Sequence, residues 1–137
     1  MTNALLAAGE GEFGLPPFGA IKDAGFAPAF EAALAEARAN IAAIAYGADA
    51  PTFANTIEAM ELAEGLLDEV GGVFYNLAGA DSTEARKALQ RDLAPKMSAF
   101  ASEVTNNAAL FARVEALWAQ RDGLGLTAEQ GRVLELY

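Results

Sequence analysis

The chain has 137 residues, with nine Lys or Arg against nineteen Asp or Glu, a formal charge of −10, and neither histidine nor cysteine. The negative charge sets most of the surface against nucleic acid and against anionic membranes, so neither is expected as a partner. The missing thiols exclude a disulfide framework and a cysteine nucleophile. Without imidazole there can be no Ser-His-Asp arrangement, no histidine-ligated zinc and no Glu-x-x-His di-iron pair.

The length suits one domain with an ordinary core. Hydrophobic residues make up 53% of the chain, with Ala prominent among them, and Ala beside Leu, Glu and Arg favours helices. The fold expected is all-α: an antiparallel helical bundle of four to five helices (residues 26–137) preceded by an extended Gly/Pro arm (residues 1–25). "MTNALLAAGEGEFG" lacks a basic n-region and its apolar run is too short for a signal peptide. No stretch approaches the ~18 apolar residues of a membrane span, and a cytoplasmic location is the default expectation.

In the arm, "FGLPPF" sets Phe13, Leu15 and Phe18 around Pro16 and Pro17. Its expected role is to pack two aromatics onto the helical core. Helix one is predicted over 27–46, with Pro28 in its first turn, Gly47 as its stop, and an apolar face of Phe30, Leu34, Ala37, Ile41 and Ile44. After the loop "GADAPT", helix two is predicted over 53–79 as the most buried element. Ile57, Met60, Ala63, Leu67, Val70, Phe74 and Leu77 form its stripe, widened by Leu62, Leu66 and Val73. Gly71-Gly72 inside it costs about 1 kcal/mol per residue relative to Ala and marks either a close helix approach or a bend.

Asp81 with Glu84 signals helix three, 82–105, with a stripe of Ala85, Leu89, Leu93, Met97, Phe100 and Val104 and a kink at Pro95. Asn106-Asn107 caps helix four, 108–121, which turns Leu110, Phe111, Val114, Leu117 and Trp118 inward. "RDGLGL" ends it. Thr127 and Gln130 have the spacing of a capping box and open a fifth helix that stops after little more than two turns, as expected of a piece of a larger protein. Short connections favour antiparallel neighbours.

No residue stands out as catalytic, cofactor-binding or metal-ligating. Glu58, Glu61, Glu64, Asp68 and Glu69 read as a solvated acidic face, since an oxygen-only metal site would need a loop such as an EF-hand, which is absent. Tyr46, Tyr75 and Trp118 read as core aromatics. Gly9, Gly11 and Gly14 follow no strand and precede no Lys-Ser/Thr, so they are not a phosphate loop.

Four segments in order, "FGLPPFGAIKDAGFAPAFEAALAEARANIAAI", "PTFANTIEAMELAEGLLDEV", "VFYNLAGADSTEA" and "NNAALFARVEALWAQRDGLGLTAEQGRVLE", resemble the thimet-oligopeptidase-like zinc metallopeptidases, bacterial peptidyl-dipeptidase and oligopeptidase A in particular. The resemblance implies an N-terminal portion of such an enzyme, whose helices help wall a channel for short peptides. It also implies that zinc and the general base belong to an H-E-x-x-H helix far downstream. None of those positions falls in this chain, so no catalytic or metal residue is carried over. The chain alone is expected to be inactive and to hold no cofactor. Its expected partners are the remainder of the peptidase and, for the whole enzyme, short peptides, and apolar surface left for that remainder favours self-association. Gly19, Gly25 and Ala54 depart from the family pattern, where Asp, His and Glu are common, and all three bear on helix starts. The alternative is a free-standing helical interaction module without enzymatic activity.

Overall fold

A computed structural model describes residues 3–7 and 12–137. The protein is an all-α bundle, with no strand among the described residues. Its helices are α1 (Phe26–Ala45), α2 (Ala59–Leu62) entered through a π-helical turn (Phe53–Glu58), α3 (Gly65–Ala80), α4 (Glu84–Thr105), α5 (Ala108–Gln120) and α6 (Ala128–Leu134). Residues before α1 hold short 3-10 turns.

α1 is the most buried element, in place of helix two. Nine of its residues are buried, including the predicted face of Phe30, Leu34, Ala37, Ile41 and Ile44. Its small Ala29, Ala33 and Ala37 let neighbours approach closely, and α3 packs along it. Phe74 of α3 meets Phe26 at 5.0 Å and Phe30 at 5.5 Å between ring centroids, both edge to face, the geometry that aromatic quadrupoles favour. α4 closes the core with Leu93 and Phe100. Arg38 on α1 and Glu103 on α4 form a two-pronged surface ion pair at 2.6 and 3.1 Å, and Lys96 on α4 pairs with Glu31 on α1.

The helix expected over 53–79 is broken at Ala63–Glu64. The Asn40 amide from α1 donates to the Ala63 carbonyl at 3.0 Å, and the Ala63 N–H reaches only to Met60, as in a 3-10 turn. A side chain entering the backbone ladder is a recognised cause of such breaks. Gly71-Gly72 does not mark a close helix approach. α3 runs unbroken through both, a Cβ at Gly72 would meet nothing within 4 Å, and one at Gly71 would meet only the Tyr75 ring at 4.0 Å.

Several expected placements differ, in the capping of α4, the exposure of Ala85 and the packing of the arm, while Pro95 lies within α4 as expected. α4 is capped by Thr83, whose hydroxyl accepts from the Arg86 N–H, while Asp81 ends α3. α4 continues through Pro95 as one helix. Pro95 lies on the exposed side, where water can serve a carbonyl left without its usual donor. Ala85 is exposed. Phe13 and Phe18 do not pack on the core; they are 90% and 50% exposed, whereas Leu5 of the arm is buried. Asn3 anchors the arm by donating to the Gly25 carbonyl at 2.7 Å.

The family departures disturb little. Gly25 starts α1 without a side-chain cap, and the start at Phe53 is held by a capping box of Thr52 and Asn55 that does not involve Ala54. Arg86 joins three elements, donating to Asp23 before α1, to the Leu77 carbonyl in α3 and to Asp81.

The open space at Gly72 gives a direct prediction. Gly72→Ala removes backbone freedom from the unfolded chain and adds no clash, so it should stabilise by about 0.5–1 kcal/mol and raise the melting temperature by a few degrees. A lower melting temperature in calorimetry would show that Gly72 is packed against something.

Candidate functional site

A second, smaller core lies beside the main one: Ile57, Val114, Leu117 and Leu134, with Phe53, Met60 and Val133 against it. It joins the π-helical turn, α5 and α6, and polar groups fix each part. Asn55 accepts from the Thr52 N–H at 2.7 Å and donates to the Ala50 carbonyl at 3.0 Å. Arg113 on α5 reaches Asn55 at 3.1 Å and the carbonyls of Gly47 and Asp49 at 3.2 and 3.1 Å, so α5, the 47–52 loop and the turn are one unit. α6 begins with the expected capping box: Thr127 accepts from the Gln130 N–H and Gln130 accepts from the Thr127 N–H, each at 3.1 Å. Gly125, at φ +64°, supplies the left-handed turn that brings α6 back beside α5.

α6 laid against the turn leaves a groove of about 430 Å³. Buried Ile57 and half-buried Phe53 and Val133 form its apolar floor, and exposed Glu58, Glu61 and Glu129 line it with no Lys or Arg among the lining residues. Leu136 and Tyr137 complete the wall, and the Tyr137 hydroxyl donates to Glu61. On the other side of α6 a hollow of about 310 Å³ lies between Phe111, Val114, Trp118, Leu134 and Tyr137.

The aromatics expected inside are largely outside. Tyr46 is 74% exposed, Phe111 63% and Trp118 40%. Tyr75 lies at the core edge with its ring 5.2 Å from Phe74. Trp118 carries the Arg121 guanidinium 4.2 Å above its ring, so its face is occupied by a cation from its own chain. Leu62, assigned to the stripe, is 76% exposed. The acidic residues of the second helix are on the surface as expected, except Glu64, which is half-buried. Its partial burial, and then the nearby Asp68, push its carboxyl above the ordinary range.

Among the described residues no three acidic side chains are grouped to hold a metal ion. With no imidazole or thiol in the sequence, the residues present do not fit zinc. Among the described residues no helix is long and apolar enough to cross a membrane. What the arrangement offers is a shaped apolar and acidic surface.

No family model matches the chain. It is similar along nearly its whole length to part of two bacterial proteins. The dipeptidyl carboxypeptidase of Salmonella typhimurium (strain LT2) is 35% identical over 135 residues, covering 98% of this chain and 20% of that protein. The dipeptidyl carboxypeptidase of Escherichia coli (strain K12) is 36% identical over 121 residues, covering 88% and 18% respectively. The chain therefore spans about a fifth of the length of the curated relatives it matches.

The Tyr137–Glu61 contact can be read by titration. Burial first, and then the hydrogen bond to Glu61, raise the Tyr137 phenol well above its ordinary value of 10.0. A raised acid contributes stability below that ordinary value and loses it as the pH climbs through the folded value. Tyrosinate absorbance followed through an alkaline titration should show a late step that Tyr137→Phe lacks. If Tyr137→Phe removes an ordinary step and leaves the late one, the contact is not formed.

Proposed function

We propose that this chain is a non-catalytic helical region of a dipeptidyl carboxypeptidase-like zinc peptidase, in which it helps wall the channel that admits short peptides. One observation carries the reading: 35% identity over 98% of the chain to a protein bearing that name. The chemistry agrees, because a chain with no histidine leaves an imidazole-ligated zinc and its activated water to the rest of such an enzyme. The architecture suits a wall: two fused apolar cores and helix starts fixed by capping boxes make a stiff surface rather than a moving lid.

The purified chain should release no C-terminal dipeptide from a blocked tripeptide above the buffer rate, with zinc supplied, and should retain no stoichiometric zinc after gel filtration. Chelator-sensitive dipeptide release by the chain alone, or tightly held stoichiometric zinc, would overturn the reading.

A further inference from the structure

The groove between the π-helical turn and α6 combines an apolar floor with carboxylates and has no Lys or Arg in its lining. Some carboxylates elsewhere have cations beside them: Glu103 has Arg38, Glu31 has Lys96, and Asp23 and Asp81 share Arg86. A separate hollow where the 121–128 segment meets α6 mixes Arg121 and Arg132 with Asp122 and Glu135. In the groove, Glu58 and Glu129 project from different elements, and neither appears in an ion pair or side-chain hydrogen bond among the described residues. Between them is an apolar floor of Phe53, Ile57 and Val133.

We propose that this groove is a docking site for a polypeptide segment that presents a large apolar side chain flanked by lysine or arginine. The proposal does not rest on the peptidase reading. The apolar floor takes the side chain out of water, while the carboxylates on either side meet the flanking cations and oppose an acidic segment. A space of about 430 Å³ suits one or two large side chains of an amphipathic helix laid in a groove. A second copy of the chain is a poor occupant, since each copy carries −10 and like-charged surfaces repel.

Binding of a fluorescein-labelled amphipathic peptide of lysine, leucine and tryptophan, followed by anisotropy, tests this against the same peptide with glutamate for lysine. The basic peptide should bind at least about tenfold tighter, and added salt should weaken it. The double variant E58Q/E129Q should bind it about fivefold more weakly with an unchanged thermal melt, as expected for two exposed charge pairs. The control E36Q/E69Q, which removes the same charge away from the groove, should bind as the unaltered chain does. Three outcomes would overturn the proposal: no binding of the basic peptide, equal weakening by both double variants, which would mean attraction to the net charge alone, or self-association of the chain through the groove, seen in light scattering and lost in E58Q/E129Q.

Discussion

The edge-to-face contact of Phe74 with Phe26 and Phe30 is the interaction on which the other parts depend. It fixes α3 along α1, and all three rings are fully excluded from solvent. α1 then presents its remaining buried side chains to α4 and α5, which makes it the central helix of the main core. Aromatic pairs of this kind contribute about 0.5–1.5 kcal/mol beyond the area they bury. Their larger effect is geometric, because rings set edge to face define one rotation of α3 about its axis. That rotation turns Val70, Val73 and Ala78 inward and leaves the line of Gly72 and Asn76 in solvent.

The break at Ala63–Glu64 follows from the same arrangement. With α3 held against α1, the stretch before it belongs to a different neighbourhood, the small core of α5 and α6. An unbroken helix from residue 53 would have to serve both cores along one axis. Asn40, on the central helix, supplies the donor for the Ala63 carbonyl at the break, so the interruption leaves no buried acceptor unpaired there. Met60 packs against both cores and is the apolar link between them. Its unbranched side chain can fill an irregular junction.

Helix order and most boundaries were legible in the sequence because they are local: the three- and four-residue spacing of α1, the capping residues Asn107 and Thr127, and the stop after Ala45. The break was not legible, since Ala63 and Glu64 are ordinary helix residues and its partner is Asn40, twenty-three positions away. Gly71-Gly72 attracted attention through intrinsic propensity, yet α3 continues unbroken through them. Aromatic placement failed for another reason. Phe111 and Trp118 share a helix with buried Leu110, Val114 and Leu117, and a one-residue difference in phase separates core from edge. The groove was half legible: its carboxylates were read as a solvated face, but that α6 would bring Glu129 across from Glu58 required the fold.

The two cores, the capped helix starts and the acidic groove make a preformed scaffold that presents surface. Similarity to about a fifth of two dipeptidyl carboxypeptidases gives that scaffold its proposed setting, a region of a peptidase whose metal and base are supplied elsewhere. The most direct measurement is the nucleotide sequence of the source reading frame beyond the codon for Tyr137. The account predicts an open frame that continues to an H-E-x-x-H helix. A stop codon immediately after Tyr137 would contradict it.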